Sequence, residues 1–220
     1  MLELGEYRES KDIDFLCSSR EGYRLLREEI SETTLGRIAK KGIFLAREIR
    51  ADQYGIRTWL GNQEMKIKFE IVREARIDLS FQRVATIPVS CLDRASAFAE
   101  KFLANADRGL DSSTLSRDVI DLAHMIEGWS QADAASGIMI ARGAYGSDVD
   151  HKLAQVTQKL RNDKRYRSQC IEGLMIATPK VLMAGLEHLA RAHWPSDTLR
   201  ENAASGAAAK GAARKKVNDI

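Results

Sequence analysis

The hydrophobic pattern of this 220-residue chain changes once, near residue 93. Before that point, short segments alternate apolar and polar residues, as in Lys66 to Val72, and turn residues separate them. After that point, long runs rich in Ala, Leu, Lys, Arg and Glu carry apolar residues at helical spacing. The pattern predicts an α+β fold in which a small mixed sheet with covering helices precedes an all-helical C-terminal domain.

The predicted domain boundaries follow this change. Residues 1–90 are expected to form the sheet domain, with a strand around Asp12, a helix at 20–30 and an antiparallel meander ending at 66–72; residues 45–51 are either a strand or the end of a helix. Residues 91–200 are expected to form the helical domain, with five helices at 95–107, 116–129, 131–141, 149–161 and 179–192. Residues 201–220 are rich in Ala, Gly and Lys and predict a disordered basic tail.

Composition excludes several classes of protein. Apolar residues at 44% and charged residues at 30% are typical of a globular domain, and a net charge of +3 is too small for a general polyanion binder. No apolar run reaches the roughly 18 residues needed to cross a bilayer, and no signal segment opens the chain, so no membrane partner and a cytoplasmic location are expected. Three distant cysteines suggest neither a disulfide framework nor a zinc site, and we expect buried, reduced thiols.

Two aspartates one residue apart, Asp12 and Asp14, are the strongest candidates for chemistry. Alternate residues of a strand share a face, so both carboxylates would project together while Ile13 and Phe15 point into the core. Two adjacent carboxylates repel unless a cation lies between them, and a carboxylate pair with substrate phosphates is a common way to hold Mg²⁺. The same triplet also occurs where a strand end has one solvated face, so both interpretations remain open.

A third carboxylate is expected on an open sheet face. In the segment 66–72, the apolar residues Ile67, Phe69 and Ile71 alternate with polar ones. Glu70 therefore stands on the polar face of this strand, beside Lys68.

Four segments in order resemble the nucleotidyltransferase family of AbiEii/AbiGii toxins, the enzyme halves of certain bacterial toxin-antitoxin pairs. They are LGEYRESKDIDF at 4–15, IKFEI at 67–71, AEKFLANADR at 99–108 and RDVIDL at 117–122. The resemblance covers about the first 130 residues. It implies a nucleotidyltransferase-like fold for the predicted sheet and a Mg²⁺ site formed by Asp12, Asp14 and Glu70.

The resemblance also implies roles for residues in the helical part. Glu70 would assist the attacking hydroxyl, and Lys101 would hold the triphosphate of an NTP, with GTP as one candidate. Asp118 and Asp121 would share one helical face toward Arg108 or Lys101 and complete the nucleotide site. A purely structural role for Asp118 is equally open, because an acid near a helix N-terminus is favoured by the helix dipole.

One part of the family pattern does not occur in this sequence. Members carry a Gly-Gly-Ser or Gly-Gly-Thr turn before the Asp-x-Asp strand, where backbone amides and a hydroxyl hold nucleotide phosphates. Only eleven residues precede Asp12, and none forms that turn. Either the natural product begins before Met1 or half of the phosphate site is missing, and catalytic activity is therefore open.

The leading functional hypothesis is Mg²⁺-dependent transfer of a nucleotide from an NTP to an acceptor hydroxyl, with RNA or tRNA as acceptor and a cognate antitoxin as partner. The alternatives are a catalytically inactive, truncated nucleotidyltransferase fold that acts as a protein-binding module, and a nucleotide sensor. Five cations around Tyr166 could grip RNA, although such a run is also typical of a solvated helix end. They are Lys159, Arg161, Lys164, Arg165 and Arg167.

Overall fold

A four-stranded mixed sheet occupies the first part of the chain in a computed structural model that describes residues 2–10, 12–40, 42–62 and 64–195. Its strands lie in the order β1-β4-β3-β2. Strand β1 runs parallel to β4, whereas β4 with β3 and β3 with β2 are antiparallel, so the expected meander is confirmed. The strands are β1 (Asp12–Cys17), β2 (Arg50–Ala51), β3 (Gly55–Gly61) and β4 (Lys66–Arg73).

One face of this sheet forms a small hydrophobic cluster under helix α1 (Arg20–Glu29). Phe69 and Ile71 of β4 and Ile56 of β3 pack against Tyr23 of α1, as the alternating pattern predicts. The other face carries the polar residues of β1 and β4, including Glu70. A second, two-stranded sheet pairs β5 (Phe81–Arg83) with β6 (Ser90–Leu92).

The expectation that Ile13 and Phe15 enter the core is wrong. Both lie on the face that carries Phe69 and Ile71, but they remain 41% and 36% exposed. The reason is position: β1 is the edge strand, and only β4 pairs with it among the described residues. Alternation predicts which face a side chain occupies, whereas burial depends on what covers that face.

The helices after residue 93 surround a larger hydrophobic cluster. Phe98 and Phe102 of α2, Ile120 of α3 and Leu186 of α7 are fully buried there. The described helices of this part number six, against five expected. They are α2 (Arg94–Arg108), α3 (Arg117–Gly128), α4 (Gln131–Tyr145), α5 (Asp148–Asn162), α6 (Lys164–Gly173) and α7 (Pro179–Arg191).

Helix α6 was not predicted from the sequence because its apolar face is narrow. Only Tyr166 and Cys170 are buried among its ten residues, and the i, i+4 spacing of two residues is too short a pattern to recognise. Asp163 supplies its start by accepting a hydrogen bond from the backbone N–H of Tyr166 over 2.9 Å.

Several other expectations can be compared with the described residues. All three cysteines are free, but Cys170 alone is buried. No helix in the described ranges is both long and apolar enough to cross a membrane. The predicted tail at 201–220 lies outside the described residues, and the domain boundaries and cytoplasmic location stay predictions.

Candidate functional site

The register of the parallel strands brings two candidate acids side by side. Asp14 of β1 stands opposite Glu70 of β4, and Asp12 stands opposite Lys68. Since alternate residues share a face, Asp12, Asp14 and Glu70 all belong to the polar face of the sheet, away from the Phe69 cluster. The sequence predicted this face but not the pairing of Asp14 with Glu70.

The negative charges around Asp14 oppose its ionisation. Partial burial raises the pKa of its carboxyl group, and the charges of Asp12 and Glu70 raise it further. The carboxylate of Asp12 accepts a hydrogen bond from Ser10 Oγ over 3.1 Å and lies 4.0 Å from the Arg117 guanidinium. A cation at Asp12 and Asp14 would relieve this repulsion.

Glu70 is held by two cations of the sheet. Arg57 Nε donates to one of its oxygens over 3.0 Å, and Lys68 Nζ donates to the other. Within the described residues, no group of three His, Cys, Asp or Glu side chains is arranged to hold a metal ion. Glu70 stays a predicted metal ligand, and the hard carboxylate oxygens of Asp12 and Asp14, with substrate phosphates as further ligands, are chemically suited to Mg²⁺.

Asp121 is the centre of a buried network that joins the start of β1 to helices α2 and α3. Arg8 donates to both of its oxygens, over 2.7 and 2.8 Å, and Tyr7 Oη donates over 2.9 Å. Lys101 Nζ donates to the second oxygen over 2.6 Å. Burial opposes ionisation of Asp121, but Lys101 and Arg8 outweigh it, and the pKa lies well below its usual range.

Asp118, one helical turn before Asp121, holds a second cation. Arg108 donates to both of its oxygens, over 2.7 and 2.9 Å, while Lys101 Nζ lies 3.4 Å away. Burial of Asp118 opposes its charge, yet the bond from Arg108 and the charge of Lys101 lower its pKa. Asp118 and Asp121 thus face Lys101 and Arg108, as the family resemblance implies, and both acids fix those two cations in place.

Lys101 is held by the two acids of α3 and still reaches solvent. Burial opposes its charge, but Asp121 and Asp118 raise its pKa, so the ammonium stays protonated. Its side chain is 30% exposed. A compact cation that is held by two acids and still reaches solvent can accept a phosphate as an additional partner.

The residues just before β1 were not singled out from the sequence. The peptide around Tyr7 and Arg8 is fixed by backbone hydrogen bonds from Glu9 N to Leu174 O and from Ala177 N to Tyr7 O. The Tyr7 ring stacks on His124 at 3.9 Å between centroids. Arg8 lies inside the segment that resembles the family, four residues before Asp12. Its place in that segment was the one feature of the sequence that could have marked it as part of the site.

Most cations of the basic run around Tyr166 make contacts within the protein. Lys159 Nζ lies 3.7 Å from the centroid of the Tyr166 ring, which is only 8% exposed, so this ring has no free face for a base. Arg161 pairs with Glu187, and Arg167 donates to two backbone carbonyl groups at the end of α5. Of these five cations, only Lys164 and Arg165 are exposed and without an ion-pair partner in the described residues.

Comparison with known protein families identifies the family of this chain. The family model described as "Nucleotidyl transferase AbiEii toxin, Type IV TA system" matches residues 1–181, which is most of the chain. No curated protein and no solved structure matches the chain. The resemblance drawn from four short segments is therefore confirmed over a longer stretch, and the mixed α/β architecture is consistent with a nucleotidyltransferase-like fold.

Proposed function

The chain belongs to the AbiEii family of nucleotidyl transferase toxins of type IV toxin–antitoxin systems, and from this we propose that it transfers a nucleotide from an NTP to an acceptor hydroxyl with Mg²⁺ on Asp12 and Asp14. Family membership implies an antitoxin partner. RNA is the proposed acceptor, with tRNA as its leading example, and GTP is one candidate donor.

The observation that carries the proposal is the register of β1 and β4. It places three carboxylates on one sheet face, two of them directly opposite each other, and partial burial together with the charges of Asp12 and Glu70 raises the pKa of Asp14. Arg57 and Lys68 offset the charge of Glu70, which leaves Asp12 and Asp14 as adjacent like charges that destabilise a sheet unless a cation lies between them. A divalent cation with a substrate triphosphate removes this destabilisation.

The reaction is a substitution at the α-phosphorus of the NTP. The acceptor oxygen forms a new bond to that phosphorus, the bond to the bridging oxygen of the β-phosphate breaks, and pyrophosphate leaves with the electron pair. Bound Mg²⁺ would supply Lewis acidity toward the α-phosphate and lower the pKa of the attacking hydroxyl. Glu70, held beside Asp14, is proposed to receive the hydroxyl proton, directly or through water.

The remaining residues of the proposed site position the substrate. Lys101 offers its ammonium to the β- and γ-phosphates, and Asp118 and Asp121 keep that ammonium charged and oriented. Arg108 stands beside them on Asp118. Holding the triphosphate in line with the acceptor oxygen is itself a large part of catalysis for phosphoryl-type reactions.

The test is label transfer from each of four α-³²P NTPs to total tRNA in the presence of Mg²⁺. The parent chain is compared with Asp14→Asn and with Asp78→Asn, in which an exposed carboxylate between β4 and β5 is neutralised instead. We expect labelled RNA from the parent and from Asp78→Asn, and a loss of at least 10³-fold, roughly, in Asp14→Asn.

The alternative, a protein-binding module without turnover, makes a different prediction. Absence of label from a parent protein with a cooperative unfolding transition, for all four NTPs and with added protein acceptors as well, would contradict nucleotide transfer and favour the module. Equal label from the parent and Asp14→Asn would place the activity elsewhere in the preparation or in the chain.

A further inference from the structure

Three arginines without acidic partners line a cleft at the end of the sheet. Arg20 and Arg27 project from α1, and Arg73 is the last residue of β4. Within the described residues none of the three guanidinium groups makes an ion pair or a side-chain hydrogen bond. The cleft has a volume of about 620 Å³, and the other residues on it are Glu21, Tyr23, Arg24, Glu28 and Gln53.

The net charge of this cleft is positive because its arginines outnumber its acids. Arg24 binds Glu21 over 2.6 Å and also pairs with Glu28, so these three residues contribute one negative charge between them. Arg20, Arg27 and Arg73 contribute three positive charges. Buried or paired arginines are common structural elements, but three unpaired guanidinium groups around one concavity repel each other and favour an anion there.

An exposed aromatic ring lies beside the cleft on the same face of the sheet. Phe15 of β1 precedes Cys17 by two residues, about 7 Å along the strand, and Cys17 pairs with Arg73. Phe15 is 36% exposed and touches Phe69 through a tilted contact of 5.8 Å between ring centroids. Its neighbour on that face, Ile13, is 41% exposed.

We propose that this cleft and Phe15 form a binding surface for single-stranded nucleic acid: the arginines hold phosphates, and a base stacks on the Phe15 ring. A basic groove beside an exposed aromatic ring is the chemistry that binds single strands with little sequence preference. The three arginines suit phosphate oxygens because each guanidinium presents a planar fork of donors. This proposal rests on the proposed function in one respect: it identifies the bound single-stranded nucleic acid as the acceptor RNA.

The position of the surface suits an acceptor. Asp14 and Phe15 are consecutive residues of β1, so they project from opposite faces of the same strand. β1 is the edge strand of the sheet. The 3′ end of an RNA bound at Phe15 therefore has to pass around this edge strand alone to reach the carboxylate of Asp14 on the other face. Along β1, Asp14 lies three residues, about 10 Å, from Cys17, the residue that pairs with Arg73 of the cleft.

The basic run at the junction of α5 and α6 is the natural comparison. Lys164 and Arg165 carry two unpaired charges there, but the neighbouring ring of Tyr166 is buried and covered by Lys159. That region can attract a polyanion and cannot stack a base. A pair of substitutions at each place removes the same charge and isolates the contribution of the cleft.

The experiment measures binding of a fluorescein-labelled single-stranded RNA of about twelve nucleotides by anisotropy at several salt concentrations. All proteins carry Asp14→Asn, so the result does not depend on catalysis. Arg20→Gln/Arg73→Gln is compared with Lys164→Gln/Arg165→Gln. We expect the cleft pair to lose about tenfold in affinity and to flatten the slope of log K against log salt by about 1.4, since each phosphate contact on a single strand contributes about 0.7.

The proposed stacking of a base on the Phe15 ring is tested with Phe15→Leu and Phe15→Tyr. Leucine keeps the apolar contact with Phe69 but offers no ring, so a loss of about tenfold is expected, whereas tyrosine should restore affinity. A DNA strand of the same sequence distinguishes RNA from nucleic acid in general: equal affinity assigns the surface to phosphates and bases alone, and weaker DNA binding adds recognition of the 2′-hydroxyl.

Two results would overturn the proposal. One is equal loss of affinity in the cleft pair and the α5–α6 pair, with no effect of Phe15→Leu. The other is unchanged RNA affinity in all variants, while sedimentation shows that the parent self-associates and Phe15→Asp does not, which would assign this edge to a protein contact. Label transfer by the parent would stand in either case, and failure of transfer with intact, cleft-dependent RNA binding would leave the surface in place.

Discussion

The guanidinium of Arg8 is clamped on both oxygens of Asp121, over 2.7 and 2.8 Å, although the two residues are 113 positions apart. This pair fixes the chain four residues before Asp12 against helix α3. The same carboxylate receives Lys101 from α2. The buried carboxylate of Asp121 therefore fixes the position of the proposed metal-binding strand β1 relative to Lys101, the proposed phosphate-binding cation.

Replacement of Asp121 should destabilise the protein strongly. Asp121→Asn leaves Arg8 and Lys101 without their buried counter-charge, and breaking one side of a buried ion pair costs about 3 to 5 kcal/mol. Urea unfolding followed by circular dichroism measures the change. Asp78→Asn, at an exposed site, should stay within about 0.5 kcal/mol of the parent. A similar small value for Asp121→Asn would show that the network contributes little.

Mg²⁺ should stabilise the parent through Asp12 and Asp14. An ion at ten times its Kd adds about 1.4 kcal/mol to the free energy of unfolding, and thermal unfolding with and without Mg²⁺ measures this. The gain should shrink in Asp12→Asn and Asp14→Asn and persist in Asp78→Asn. Without the ion, Asp14→Asn should be as stable as the parent or slightly more stable, because it removes a charge opposite Glu70. Equal gains in all four proteins would contradict a metal site at these aspartates.

The carboxyl group of Glu100 should make stability fall with rising pH. Burial raises its pKa from 4.5 to about 7, and the negative charge of Glu74 adds to the shift against the opposing charges of Arg76 and Lys101. Between these two values the folded protein keeps a proton that the unfolded chain has released, so this group lowers the free energy of unfolding as pH rises from 4.5 to 7 and has no further effect above that.

Glu100→Gln isolates this contribution because an amide keeps the shape and cannot titrate. Relative to the parent, the variant should gain stability between pH 4.5 and pH 8 by roughly 1 to 3 kcal/mol, measured as a difference in urea unfolding at the two pH values. Glu74→Gln serves as the comparison: the pKa of Glu74 is lowered, since the bonds from Arg76 outweigh its burial, and its variant should lose stability at neutral pH. A parent-to-Glu100→Gln difference that is constant with pH would contradict the raised pKa.

Helices α3 and α7 approach so closely at Gly185 that a methyl group does not fit. A Cβ there would lie 2.0 Å from the backbone oxygen of Ala123. Gly185→Ala should therefore lower the free energy of unfolding by about 2 to 3 kcal/mol despite the better helix propensity of alanine. Gly128→Ala is the control, because the three atoms nearest to its Cβ would all belong to the side chain of Leu4, which can rotate away. Equal effects of the two substitutions would argue against the close packing.

The sequence determined the parts that follow from local periodicity. Alternation in residues 12–16 and 66–72 fixed the faces on which Asp12, Asp14 and Glu70 stand, since side chains of a strand alternate whatever it pairs with. Helical spacing located most helices after residue 93, and the motif segments identified the family. Helix α6 was missed because two buried residues are too few to establish a period.

Tertiary structure alone decided which groups meet. The pairing of Asp14 with Glu70 depends on the register of two strands far apart in the chain, and the bond between Arg8 and Asp121 depends on how α3 packs beside the segment before β1. The exposure of Ile13 and Phe15 depends on β1 being an edge strand. Local patterns carry the period of an element and hence its faces, whereas register, neighbours and edges arise from contacts between distant residues that no local pattern encodes.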